Sequence, residues 1–592
     1  MTDERVRLWP DIPERIKATS RVATGGWLTG FKGQEETTVL HLSGSSESGQ
    51  YDRLQRLLPA GVSICGAWAR GGEEQDGVQR LKEMAAAAQG AASFVGAVIT
   101  GGSIQWYRGN VQSLSTITPD ALTDAEQWLE TNFCALRCSL PLHAEVFGLS
   151  AVNGQAVLKS KAVGAAVNSL QQQLTGSMLF SGGSRSLGLQ SLQGGLDTCG
   201  SLGGTLAKPV DIQIMQQRHP QYDNSGSSSA AGPSFQYHPI RGGSLSMQQV
   251  RLSLNVLMLA PSSLAAASLQ GEVVRPAIEA QLEHFRDALC QDNGPLYDQR
   301  ALHFLPPGWP HPLTVIYPLR ADGAGKSLEA IEEQVLPMRK ELHQLLGLPM
   351  DRPMLRMANA MAFDDAAGEG SGAQRLKDVH QGLPASGVQN GSVHMVEGSY
   401  DYHHYMQDRF DDSGWGCAYR SLQTICSWMR RQQYTSAPVP THRQIQQTLV
   451  DIGDKPSSFV GSKQWIGAIE LGYILDTLLG VSSKVITVSN GAEMASKARE
   501  IAYHFDSQGT PIMMGGGVLA YTLLGIDYNE RTGQCAFLIL DPHYTGSDDL
   551  KAIHKGQWIA WKKADGKAAA GGDLFVKIAF YNLLCPQRPC TV

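Results

Sequence analysis

The sequence lacks any apolar run long enough to cross a bilayer, has few aromatic residues and shows little charge bias. Of its 592 residues, 18% are charged and 7% aromatic, with a net charge of -6. A membrane-spanning helix needs about 20 apolar residues in sequence, and nucleic-acid binding needs a basic face, so neither a span nor a nucleic-acid partner is expected. The opening stretch MTDERVRLWPDIPERI is charged and has no apolar core, so a secretory signal is not expected either. Cysteine is scarce, with ten residues whose spacings form no disulfide framework. Reduced thiols in a cytosolic compartment follow. Cys134 and Cys138 stand four apart, but no second pair or neighbouring histidine completes a four-ligand set, and neither a metal nor a cofactor is expected. The tail PCTV has its cysteine, Cys590, third from the end, which does not make a prenylation signal.

What is present is enough apolar residue for more than one core, because a single core stops growing well below this length. Composition divides the chain. Residues 1–165 carry mixed strand and helix signals: TTVLHLSG, GVSICGAW, ASFVGAVIT and GSIQWYRG read as strands, YDRLQRLLP and DGVQRLKEMAAAAQG as helices. Residues 166–248 include SGGSRSLGLQSLQGG and DNSGSSSAAGPS, poor in large apolar side chains, and are expected to be a largely disordered insertion. In 249–363, QVRLSLNVLMLA and LTVIYPL read as strands, VVRPAIEAQLEHFRDAL and LEAIEEQVLPMRKELHQLL as amphipathic helices. Residues 364–374 read as a linker. The expected fold class is α+β throughout, with the chemistry in 375–592.

That last region contains DDSGWGCAYRSLQT, residues 411–424. Glycines flank Trp415 so that the backbone can turn tightly before Cys417. From Cys417 onward Ala418, Leu422, Ile425, Cys426 and Met429 fall at helical spacing, and Arg430 and Arg431 suit a helix C-terminus. A cysteine at the positive end of such a helix has its thiolate favoured. A nucleophilic cysteine needs a base and a group that orients the base. AFLILDPHYTG supplies both: an apolar strand, Phe537 to Leu540, then Asp541 and His543 two apart, where an extended chain would send both side chains to one face. Pro542 keeps Asp541 out of the helical region. TPIMMGGGVLAYTLLGIDYNERTGQCAFLILDPHY reads as three strands joined by a triple-glycine turn and a polar turn. GSKQWIGAIELGYILDTLLG reads as a helix with Trp465, Ile469 and Leu471 in the core and Glu470 a solvated position. Acyl transfer also needs donors for a developing oxyanion. The Cys417 N–H is one; for the other, YDYHHYMQDRF offers Tyr400, Tyr402, His403, His404 and Tyr405, among which composition and spacing do not choose.

GWGCAYRSLQT, TPIMMGGGVLAYTLLGI and DPHYTG, in this order, together resemble the catalytic domain of the proteases specific for ubiquitin-fold modifier 1, and LKDVHQGLP at 376–384 resembles the start of that domain. The resemblance implies a papain-like domain over 375–592 with the acidic residue on the same strand as the histidine. It implies Cys417 as nucleophile, His543 as base, Asp541 as its partner and Tyr405 as oxyanion donor. The implied reaction is cleavage after the modifier's C-terminal glycine, in precursor maturation and in release from lysines of conjugates. In the longer, two-part members of that family the N-terminal region resembles an MPN-type fold, some of whose members are zinc isopeptidases. LLPAGVSICGAWARGG is similar to the strand that holds a His-x-His pair in active ones, but Ala67, Trp68 and Ala69 follow Gly66 here, so a binding region is implied. The implied partners are the modifier, its conjugates and an adaptor at the endoplasmic reticulum. The expected location is the cytoplasm, partly at that membrane's surface, with the nucleus left open. Two rivals remain: an autophagy-type cysteine protease, which also combines a WGC with a DPH segment, and an inactive modifier-binding adaptor.

Overall fold

The structure is a computed structural model. It describes residues 5–592 apart from 34–35, 45–49, 88–93, 151–155, 158–159, 176–177, 183–197, 207, 217–244, 292–295, 307, 321–327, 362, 364–374, 517–518, 565, 567–573 and 590–591. Contacts divide the chain into two units, one of residues 1–350 with 355–363, the other of 351–354 with 364–592.

The first unit contains two sheets. In one, the strands Ser63–Arg70 and Phe94–Thr100 run parallel, joined by the helix Glu74–Ala87, and Phe94–Thr100 turns back through Gly101 and Gly102 onto Ser103–Gly109. Parallel neighbours need such a crossover, whereas antiparallel ones need only a turn. Ala67, Trp68 and Ala69 are fully buried in this sheet. The second sheet is built on Phe133–Ser150 and Leu245–Pro261, paired antiparallel from Leu245 opposite Leu149 to Pro261 opposite Phe133. The helix Arg275–Gln291 crosses from the second of these to the parallel strand Leu296–Phe304. Gln281 locks helix to sheet by bonding both the N–H and the carbonyl of Asn255, each at 2.8 Å.

Two features of this unit depart from the sequence reading. Within 166–248, the described residues are not a structureless insertion: the helix Ser160–Thr175 buries Val163, Val167 and Leu170, and Val210–Gln216 is a strand of the second sheet. That helix has one apolar face at helical spacing, which an average over a Ser/Gly-rich window hides. DNSGSSSAAGPS lies outside the described residues, as does the linker 364–374. LEAIEEQVLPMRKELHQLL forms two helices, Leu328–Gln334 and Leu336–Leu346, because Pro337 has no N–H to continue the first and instead occupies the first turn of the second.

In the second unit the helix Cys417–Arg431 is the centre of the core. Every residue from Ala418 to Met429 is buried, polar ones included, so it is wrapped on all sides and not amphipathic. It packs on the helix Ala468–Leu479 and on an antiparallel sheet. The sheet runs Ser483–Val488, Tyr581–Pro586, Ile512–Gly516, Leu519–Tyr528, Cys535–Leu540, Ile559–Lys563, with Ser392–Met395 added beside Leu519–Tyr528. Cys535–Leu540 is buried at every position, as its unbroken apolar run requires. Two expected core residues are misplaced. Trp465 is 57% exposed and Ile469 45% exposed, while Leu471 is fully buried. The helix starts only at Ala468, so Trp465 precedes it, and the buried face runs through Leu471, Ile474 and Leu475. Glu470 is no solvated bystander: it caps the helix by accepting from Gly467 N–H at 3.0 Å and pairs with Lys455 at 2.8 Å.

This packing predicts that Leu422→Ala lowers the stability of the second unit by about 2–5 kcal/mol. Ile469→Ala, on the exposed face, should stay within about 0.5 kcal/mol of the unmutated chain. Urea titration followed by tryptophan fluorescence measures both, and equal effects would refute the assignment of faces.

Candidate active site

Two short segments carry the sulfur and the imidazole of the site, and each is bent by its own sequence. The first leads into the central helix. Gly414 has φ 83, a conformation that a side chain resists, and Gly416 is the N-cap residue. A Cβ on Gly416 would come within 2.7 Å of the Asp412 side chain, so no larger residue fits there. Cys417 is therefore the first residue of the helix, and its N–H lies among those that have no acceptor within the helix.

The second segment follows the strand Cys535–Leu540. Asp541 N–H donates to Trp558 O at 2.7 Å, and the chain then turns. His543 N–H donates to Asp541 Oδ1 at 3.0 Å, and His543 Nδ1 lies 2.6 Å from the same oxygen. Asp541 and His543 thus meet through a turn closed by the aspartate itself and not, as the sequence pattern suggests, along an extended strand; neither residue lies in the strand. Since Nδ1 is engaged by Asp541, Nε2 is the nitrogen left for the sulfur.

The structure brings all four predicted residues together. The Cys417 side chain is hydrogen-bonded by His543, by the Tyr405 hydroxyl and by the N–H of Ala520. The Tyr405 ring stands edge-on to His543, centroids 5.2 Å apart at 84°, and its own N–H donates to Pro542 O at 3.0 Å. The remaining aromatic candidates have other partners. Tyr402 donates its hydroxyl to Asp541 O at 2.5 Å, Tyr400 pairs with His380 at 2.9 Å, and His404 lies 2.7 Å from Asp548 and 2.9 Å from Tyr405 O. His403 is buried behind them, its N–H on Thr424. Sequence reasoning missed Ala520, whose contribution is a backbone N–H, and Tyr521, whose ring flanks His543 at 5.6 Å.

Electrostatics single out the pair. Burial opposes a charge on Cys417, but the hydrogen bond and charge of His543, with Tyr405 and Ala520 N–H, hold its thiol below the ordinary value. Burial likewise opposes a charge on His543, yet the hydrogen bonds of Asp541 and Cys417 and their charges raise it to about 9. Burial pushes Cys65, Cys138, Cys426 and Cys585 up to about 12, and Cys199 and Cys535 to about 11. Cys134 is raised by the same cause. Among the described residues Cys417 is the one cysteine whose thiol is held below its ordinary value.

Comparison with known proteins gives matches in both regions. Residues 391–584 match the model of peptidase family C78, and residues 234–367 that of "Ubiquitin-fold modifier 1 specific protease 2, N-terminal". The "Probable Ufm1-specific protease" of Oryza sativa subsp. japonica is 50% identical over 389 residues, 65% of this chain and 58% of that protein. "Ufm1-specific protease 2" of Gallus gallus is 52% identical over 290 residues, 49% of this chain and 59% of that protein; that of Homo sapiens is 51% identical over 289 residues, 49% and 57%. The chain thus spans somewhat under three fifths of these relatives. A solved structure, "Crystal structure of UfSP from C.elegans", is similar at a TM-score of 0.60 and 23% identity over 100% of both chains, which shows a shared fold.

The paired shifts predict how Cys417 alkylates with neutral iodoacetamide. The rate should fall as acid protonates the sulfur at a pH below the ordinary thiol value. Above about 9, where His543 loses its proton, the sulfur loses its imidazolium partner. In His543→Ala the acid limb should move up, to the ordinary thiol value or beyond it, because burial is then opposed only by Tyr405 and the Ala520 N–H. An unmoved limb would show that His543 does not hold the thiolate.

Proposed function

We propose that a chain whose segments match peptidase family C78 and the Ufm1-specific proteases, with a thiol lowered by an imidazole and a phenol, is itself a thiol protease. Its proposed substrates are the precursor and the lysine conjugates of ubiquitin-fold modifier 1, cut after the modifier's C-terminal glycine. The observation that carries this reading is the series Asp541–His543–Cys417 with Tyr405 also acting on the sulfur.

The chemistry follows from those contacts. Cys417 Sγ attacks the glycyl carbonyl, and the bond to the leaving amine breaks after His543 gives that nitrogen its Nε2 proton. Cys417 N–H and the Tyr405 hydroxyl are the two donors available to the oxyanion. His543 then takes a proton from water, which attacks the thioester and frees the modifier and Cys417. Asp541 keeps Nδ1–H pointed away from the sulfur and stabilises the imidazolium at each stage. In this reading the second unit is papain-like. The first is an MPN-like region, with no metal-ligand cluster among its described residues, that binds an adaptor at the endoplasmic reticulum surface, placing the enzyme in the cytoplasm and partly at that membrane.

Reaction with the modifier bearing a C-terminal electrophile tests this directly. The unmutated chain should form a covalent adduct that Cys417→Ala does not, whereas an inactive adaptor would bind without one. On a fluorogenic modifier substrate, Tyr405→Phe should lose on the order of a hundredfold in kcat and still turn over, as loss of one oxyanion donor does elsewhere. Undiminished turnover would remove Tyr405 from the site, and equal cleavage of an autophagy-type modifier would remove the specificity.

A further inference from the structure

Behind the nucleophile lies a group of polar side chains that the reaction does not use. Asp412 is fully buried, Arg420 is 1% exposed, and His442 is buried beside them. One oxygen of the Asp412 carboxylate accepts from Met406 N–H at 2.8 Å; the other accepts from Arg420 Nε at 2.5 Å and lies 3.1 Å from His442 Nε2. The Asp412 carbonyl accepts from Gly416 N–H at 2.9 Å and Trp415 N–H at 3.2 Å. Arg420 also donates to Gln407 O at 3.2 Å and to Gln423 at 3.1 Å. A single residue therefore grips the backbone next to Tyr405 with its side chain and the backbone next to Cys417 with its main chain.

The gripped segment would not hold this shape unaided. Met406, Asp408 and Arg409 have φ of 62, 61 and 56, and none is glycine. Such conformations persist where surrounding structure imposes them, and they gather at functional sites. Burial works against the Asp412 charge, yet the nearby His442 ring, the hydrogen bond and charge of Arg420 and the N–H of Met406 hold its carboxyl below the usual range, so the carboxylate is kept as an acceptor.

We propose that Asp412 is a positioning residue which, by clamping Met406 N–H and Gly416 N–H at once, fixes the Tyr405 hydroxyl and the Cys417 N–H as one oxyanion site. This rests on the reading of Tyr405 as an oxyanion donor. A purely structural Asp412 would act on every property of the enzyme; a positioning one acts through Tyr405.

The test is a double-mutant cycle on the full chain with the fluorogenic modifier substrate. Asp412→Asn keeps the shape but cannot accept from both Met406 and Arg420. It should lower kcat by roughly tenfold or more, within the loss expected for one oxyanion donor, with KM little changed. In the Tyr405→Phe background the same substitution should cost no more than about twofold, because the contact it serves is already gone. Because Tyr405 also helps to lower the Cys417 thiol, alkylation by iodoacetamide should fall in Asp412→Asn by no more than it does in Tyr405→Phe. His442→Phe, which removes one support of the carboxylate yet retains a ring stacked on Tyr419, should show the same dependence on Tyr405 at smaller size and covers the case in which Asp412→Asn does not fold. Losses that multiply across the two backgrounds, or a fall in alkylation larger than that of Tyr405→Phe, would overturn the proposal while leaving the protease reading intact. An unmutated chain that releases no modifier would overturn both.

Discussion

The contact between the Cys417 sulfur and the His543 ring is the constraint from which the rest of the second unit can be understood. Burial by itself would silence both groups. It lifts the Cys426 thiol to about 12 and drops the His504 imidazole to about 4 in the same unit. Only side by side does each supply the charge that overrides the other's desolvation, and only while they stay within hydrogen-bond reach. Each half alone is an inert buried residue. The demand is therefore on geometry: the scaffold must hold two segments, more than a hundred residues apart in sequence, in contact.

Scaffold and chemistry coincide in how this is met. Cys417 heads a helix buried on every side, so the helix has nowhere to slide. His543 follows a strand buried at every position and is tied to Asp541 through two hydrogen bonds on one oxygen. Tyr405 joins the two, with its N–H on Pro542 and its hydroxyl on Cys417. Tyr402 steadies the same turn from Asp541 O. Each tie replaces mobility with a fixed distance, which is what a reaction between pre-placed groups requires.

What could be read from the sequence were features that are local along the chain. The glycines around Trp415, the helix after Cys417, the strand before Asp541 and the Asp-Pro-His spacing are each written within about a dozen neighbouring residues, the scale of a turn or a short element. The geometry of Asp541 and His543 was not legible, since Asp-x-His fits a strand as well as a turn. Ala520 could not be found, because its part is played by a backbone N–H that every residue but proline carries. Asp412 was hidden because its value lies in five partners contributed by 406, 415, 416, 420 and 442. Trp465 and Ile469 looked like core because hydrophobicity says nothing of which face a helix turns inward when Gly467 resets its start. Phe133–Ser150 was unread because Pro141 interrupts its pattern, and its long partner strand supplies the register that local preference does not.

The same reasoning bears on the first unit, whose cores contain cysteines and histidines of their own. Burial holds His303 at about 3 and His311 at about 4, and His303 faces Thr314 while His311 faces a backbone carbonyl. Neither has what His543 has, a carboxylate on one nitrogen and a thiolate on the other. Cys65, Cys134, Cys138 and Cys199 are raised by burial with no imidazole among the causes acting on them. Ala67, Trp68 and Ala69 are apolar and fully buried. Among the described residues the first unit is therefore a scaffold without a poised nucleophile, while the four side chains that the proposed reaction uses converge at the head of the Cys417 helix in the second unit.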